Sequence, residues 1–399
     1  MKRIYPFIIL FAILLSASSQ DNNFNAYWKN GLNLESNNGD FKIKFGGRAH
    51  LDAMTVFPDK VIDTIIDNRN GIEFRRLRLY SSGLLYGNIK YKVQLDFAGG
   101  TAKLKDVYIT ITKIPYIGNI QIGQFKEPLG LELITSSNYI TMIERSLTNP
   151  MFPDRNTGIM IFNNAFDSRF TWAAGYFNPT DDFGKYLGPK YHLTGRLTGL
   201  PIYNDEDKYQ VLHLGAGYSF QYQADQEYVL KTRPESHLLP TIALAEIDHA
   251  KNVNVATGEL ALVLGPFHMQ TEYAMTTAHT SSNSQLQNKQ YYFHAYHGIV
   301  SWFITGEHKN YVAKSGSFGR VSPKKNFGKG GAGAFELAAR YSNIDLDDTD
   351  VEGGYVSNIG IGLNWYLNPN TRFMLNYIFA DIKDTGNVDI LMVRFQIDF

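Results

Sequence analysis

Strict alternation of apolar and polar residues over long runs is the feature that most restricts this chain. In "NIKYKVQLDF", Ile89, Tyr91, Val93, Leu95 and Phe97 share one face, and Lys90, Lys92, Gln94 and Asp96 share the other. In "FKIKFGGRAHLDAMTVF", Phe41, Ile43, Phe45, Ala49, Leu51 and Ala53 oppose Lys42, Lys44, Arg48, His50 and Asp52. A period of two marks strands with one apolar and one polar face. The pattern recurs to the last residue and predicts sixteen strands; only 223–252 lacks a clear period and leaves room for one more. "YNDEDK" (203–208), "GPF" (265–267) and "LNPN" (367–370) read as turns. "DDTDVEGG" (347–354) and "SGSFGRVSPKKNFGKGG" (315–331) read as longer loops.

Two all-β architectures produce such a pattern. A soluble sandwich or solenoid turns its apolar faces to a core and its polar faces to solvent. A transmembrane barrel turns apolar faces to lipid and polar faces to a wet lumen. Strand length favours the barrel, because the runs reach ten residues or more while soluble strands usually have about 5–6. Aromatic residues near strand ends, such as Tyr86, Tyr91, Phe97, Tyr366 and Phe373, fit interfacial girdles.

The N-terminus places Lys2 and Arg3 before the apolar run Ile4 to Leu15, then "SASSQ" with a cut expected before Gln20. This is the pattern of a secretory signal peptide, too short to span a bilayer as a helix. The expected organisation is thus signal peptide 1–19, N-terminal periplasmic segment 20–40, and transmembrane β-barrel 41–399. The chain ends "VDILMVRFQIDF", with Leu391, Val393, Phe395, Ile397 and Phe399 on one face. That ending resembles the C-terminal signal by which the barrel assembly machinery recognises outer-membrane barrels. The expected location is the outer membrane of a Gram-negative bacterium, in contact with lipid and lipopolysaccharide.

Charge and composition narrow the chemistry. Basic and acidic residues balance at 38 each, which offers no general attraction to nucleic acid. Cysteine is absent, which removes disulfides, thiolate metal sites and cysteine nucleophiles. Ser136 and Ser137 lie outside any G-x-S-x-G elbow, and His294 and His297 lack helical metal-ligand spacing. The acidic run 345–350 lacks the spacing of a calcium loop. No catalytic residue, metal site or cofactor is expected.

The block from Phe74 to Ile161 carries the most specific signal. It contains "FRRLRLY", "KLKDVYIT", "NIQIGQFKEPLGLELITSSNYITMIERSL" and "FPDRNTGIMI", in that order. It closely resembles the phosphate-selective porin O and P family. The resemblance implies a 16-stranded antiparallel barrel, a homotrimer, and an inward-folded constriction loop, here about Lys126 to Asn156. That stretch holds Pro128, Pro150 and Pro153 and no clean alternation. A loop of that length is uncommon in a compact fold unless it is functional.

Parity then places the charges. Leu77 and Leu79 should face lipid, with Arg76 and Arg78 in the lumen, since an arginine at the lipid midplane costs about 2–4 kcal/mol. Arg75 has the wrong parity and needs a bulge or a snorkelling side chain to reach water. The resemblance sends it inward. Lys90 and Lys92 add lumenal cations, and Lys126 and Arg145 belong to the loop, with Glu127, Glu132 and Glu144 tempering them. The expected pore-lining, anion-binding set is Arg75, Arg76, Arg78, Lys90, Lys92, Lys126, Ser136, Ser137 and Arg145. In phosphate-binding members the pattern has a lysine three residues before the Ser-Ser pair and an amide five after; here Leu133 and Met142 stand there. The expected function is passive diffusion of small hydrophilic solutes with a preference for anions such as phosphate. The alternatives are a channel for oligosaccharides or other nutrients, a barrel enzyme, and a soluble β-protein.

Overall fold

The structure, a computed structural model, describes residues 23–399 apart from 61, 63–64, 67–68, 206–207 and 282–287. The expected signal peptide lies outside the described residues. The main sheet has eighteen strands, of which Phe24–Trp28 and Leu32–Ser36 form an appended hairpin. The other sixteen run antiparallel and close on themselves, the last strand, Gly386–Asp398, pairing with the first, Lys42–Pro58. Closure leaves no open barrel edge, which is the condition for a sheet to cross a bilayer. The hairpin pairs with Lys42 to Phe45, end-on to the last strand, and Phe399 stacks on Trp28 with ring centroids 6.3 Å apart.

Alternation becomes an inside and an outside. In the last strand Arg394 is 0% exposed, while Val393 is 42% exposed on the outer face. In Asn70–Leu85 the exposed residues Phe74, Leu77 and Leu79 face outward, and Arg76 and Arg78 are buried. Phe335, Trp365, Phe373 and Phe395 are successive cross-strand neighbours and stack as an outer girdle. Tyr366, expected in that girdle, points inward instead, and its hydroxyl donates to Glu336 at 2.7 Å.

Asn23, Phe399 and the short connections 86–88, 115–117, 166–169, 265–266 and 369–370 lie at one end of the barrel. Short turns mark the periplasmic end of such barrels. One connection at that end is long: residues 304–333 carry a small hairpin, Tyr311–Val312 with Ser317–Phe318, and turn into the lumen.

The uncertain region 223–252 adds no strand. It lengthens two neighbours, Gln210–Thr232 and Ala243–Leu264, to 23 and 22 residues. Ala224, Asp225 and His249 have positive φ, and register shifts between Tyr222, Gln226 and Tyr228 scramble the period there. The expected loop 347–354 is a tight turn between Ala334–Asp348 and Val351–Asn368. Glycine is required at 353, where a Cβ would sit 2.4 Å from the Leu346 carbonyl oxygen.

Polar-inside alternation also fails over part of the wall. Ala245, Ile247, Val253, Val255, Phe293, Ile344, Val356, Ile378 and Ile390 are buried and pack into one apolar cluster. Leu129, Leu133, Ile143, Leu147 and Met151 from the inward loop fill it. This side of the barrel interior is therefore a dry core, and the open space lies against the opposite wall.

Candidate functional site

The loop between strands Gly118–Lys126 and Arg155–Ala165 folds into the barrel as predicted. Gly130 turns it with φ 75°, and a Cβ there would lie 2.5 Å from the Phe152 ring. A one-turn helix, Leu131–Ile134, follows and places Leu131 and Leu133 in apolar contacts.

The loop glutamates, expected to temper cations, also tie the loop to three parts of the wall. Glu127 accepts from Asn156 at 2.6 Å and His192 at 2.7 Å. Glu132 accepts from the backbone and hydroxyl of Ser146 at 2.9 and 2.7 Å and lies 3.5 Å from Arg340. Glu144 accepts a two-pronged bond from Arg75 at 2.8 and 3.1 Å and another from Arg394 at 2.9 Å, with Arg76 3.7 Å away.

That arrangement settles where Arg75 points. Cross-strand register runs His50 to Arg76 and then Leu51 to Phe74, so Arg75 is the extra residue of a β-bulge. The bulge turns its side chain inward to Glu144. Burial pushes the Glu144 carboxyl up, but Arg75, Arg76 and Arg394 outweigh it and hold it well below the usual 4.5. A depressed carboxylate contributes stability that is present above its ordinary value and lost only as pH falls through the lowered one. The loop anchor should thus survive from pH 7 down to 4.5, and single-channel conductance at fixed salt should show no loop-opening step over that range.

A cavity of about 590 Å³ lies between the loop and the strands from Lys42–Pro58 to Tyr191–Asn204. Among the described residues, eleven lysines and arginines line it against two aspartates, so its surface is strongly cationic. Arg75, Arg76, Arg78, Lys92, Lys126, Ser136, Ser137 and Arg145 all line it. Lys90 lies apart, in a vestibule nearer the chain ends that also holds Lys42 and Lys44.

These cations differ in their counter-charges. Arg78 bonds Asp96 at 2.6 Å, and Lys92 bonds Asp106 at 2.6 Å, with Arg155 on the other oxygen at 2.7 Å. Arg48, Lys126 and Arg145 are held by neutral acceptors. Arg48 donates to the hydroxyls of Ser136 at 3.2 Å and Ser137 at 3.1 Å. Arg145 donates to the carbonyls of Glu132 at 3.0 Å and Thr135 at 2.9 Å, and Lys126 to those of Leu133 and Thr135. Arg48 is absent from the predicted set, although its parity already put it on the polar face. Lys314 and Ser315 reach the same cavity from connection 304–333, where no periodicity could flag them.

Comparison with known proteins agrees with this architecture. The family model described as phosphate-selective porin O and P matches residues 43–399. Porin O of Pseudomonas aeruginosa is 23% identical over 396 residues, covering 90% of this chain and 87% of its own length. Two solved structures share the fold. One is the anion-selective porin of Comamonas acidovorans, with TM-score 0.55, 12% identity and coverage of 90% of this chain and 100% of that one. The other is a trimer form of the Vibrio cholerae outer-membrane protein OmpT, with TM-score 0.52, 11% identity and coverage of 89% and 99%. A closed sixteen-stranded barrel, an inward loop over a cationic lumen and a match along nearly the whole chain lead to one conclusion: the chain belongs to the phosphate-selective porin O and P family and is a porin of the Gram-negative outer membrane.

Proposed function

We propose that this porin lets small hydrophilic solutes diffuse passively and that its lumen favours anions, phosphate among them. The observation that carries this reading is the trio Arg48, Lys126 and Arg145 beside Ser136 and Ser137. Each donates to hydroxyl or carbonyl oxygens, and none of the three forms an ion pair with a described carboxylate. Lumenal cations at a constriction lower the barrier to negative solutes and raise it to positive ones. The serine hydroxyls accept from Arg48 and keep their own protons to donate to an anion. Lys90 and Lys44 extend positive charge into the vestibule, where Lys42 is paired with Glu35 at 2.6 Å. The names of two similar proteins, a porin O and an anion-selective porin, support the same reading.

Planar-bilayer recording across a potassium chloride gradient tests it. The expected reversal potential is that of an anion-preferring pore, and added phosphate should reduce the chloride current. A cation-preferring reversal potential refutes the reading. We further infer a homotrimer in outer-membrane lipid and lipopolysaccharide, supported by the trimer form of the similar OmpT. Unheated protein in mild detergent should have three times the mass of the mature chain by light scattering. Assembly through the C-terminal strand ending at Phe399 follows from its outward apolar row, and Phe399→Ser should lower the amount of folded barrel in the membrane.

A further inference from the structure

One arc of the cavity wall is apolar. Tyr108, Ile134, Met160 and Phe162 line the cavity and are half-buried. None of the four belongs to the buried apolar clusters among the described residues, so they are not spare parts of the core. Barrel interiors of porins are polar, because they hold water. Apolar side chains placed in such a lumen, beside cations that form no carboxylate ion pair, have a ligand's chemistry to match.

Strand register shows how the two kinds of wall adjoin. Arg48 and Arg78 are cross-strand partners, and Lys92 is the partner of Tyr108 on the next strand. Met160 lies two strands farther, opposite Gln121, with Phe162 two residues along the same strand. Beyond them stand Gly175 and Ala173, which are too small to fill the space. From the loop side, Ile134 lies two residues from Ser136. A cationic arc thus passes directly into an apolar arc around one cavity. The volume, about 590 Å³, falls within the roughly 300–1,000 Å³ typical of sites for organic ligands.

We propose that the preferred solute is an organic anion, a small molecule with a charged carboxylate or phosphate head and an apolar, flat or branched body. The head lies at Arg48 and the Ser136 and Ser137 hydroxyls. The body lies against Tyr108, Met160 and Phe162. This inference rests on the anion reading above and sharpens it to a solute class.

The test compares two monoanions that share a head and differ in the body. Benzoate and acetate are each titrated against the chloride current of the reconstituted wild-type porin at pH 7, where both carboxylates are ionised. Benzoate should half-block at a concentration about tenfold below acetate. In Phe162→Ser and in Met160→Ser, the ratio should fall to about twofold. Equal block by the two anions, with an anion-preferring reversal potential, overturns this proposal and leaves the anion reading intact. A cation-preferring reversal potential overturns both. The wild-type comparison decides even if a variant fails to assemble; a folded variant pair that keeps the tenfold ratio overturns the role of Met160 and Phe162.

Discussion

Glu144→Gln is expected to give a wider, noisier pore with stronger anion preference. The wild-type carboxylate receives both prongs of Arg75 and one bond from Arg394, and lies 3.7 Å from Arg76. A neutral amide cannot match that charge. Arg394 keeps Asp52, at 2.6 Å on both oxygens, but Arg75 and Arg76 lose their only ion-pair partner among the described residues. Removing one member of a buried pair costs roughly 3–5 kcal/mol. Here the side chains keep some solvent access, 21% at Arg75 and 13% at Glu144, so the low end applies. That strain falls on the loop segment Glu144 to Asn149, which should loosen. Single-channel recording should show larger conductance with frequent transitions, and limited proteolysis should cut the loop in the variant. Conductance and noise equal to wild type would refute the anchoring role.

Arg48→Ala is expected to weaken block by phosphate about tenfold and to move the reversal potential toward zero. Two unit charges 4 Å apart interact by about 1 kcal/mol in water and about 4 kcal/mol at an effective dielectric constant of 20. A wet lumen lies between these limits, and about 1.4 kcal/mol is tenfold in binding. Arg78→Ala should do less, since Arg78 is turned toward Asp96 rather than the serine pair. Arg48→Lys should retain most of the selectivity, because it keeps the charge and loses only the second donor direction. Equal effects from Arg48→Ala and Arg78→Ala would show that total lumenal charge, rather than the cation at Ser136 and Ser137, sets selectivity.

Strand content was legible because lipid and water enforce a period of two wherever both are present. It became illegible where a third environment intervened. Ile247, Val253 and Phe293 face inward yet are apolar, because the folded loop, not water, fills that part of the lumen. Bulges at 224–225 and His249 hid the long hairpin by flipping parity. Asp and Gly at 347–354 suggested a loop because turn-forming residues also serve a two-residue hairpin. At the site, parity identified Arg76 and Arg78 and posed the right question about Arg75. It could not tell a paired cation from an uncancelled one, since Glu144 and Asp96 reach their arginines across 69 and 18 residues of sequence.

The two inward segments touch. Phe318 of connection 304–333 donates its backbone N–H to Thr135 at 3.3 Å, and Lys309 donates to the Tyr139 carbonyl at 3.0 Å. One segment enters from the end that holds Phe399, the other from the opposite mouth. They form a single partition with two faces, hung from both rims. Admission at either mouth is therefore not set by the rim nearest to it: a change at Phe318 reshapes the support beneath Ser136, and whatever narrows the aperture for import narrows it for escape.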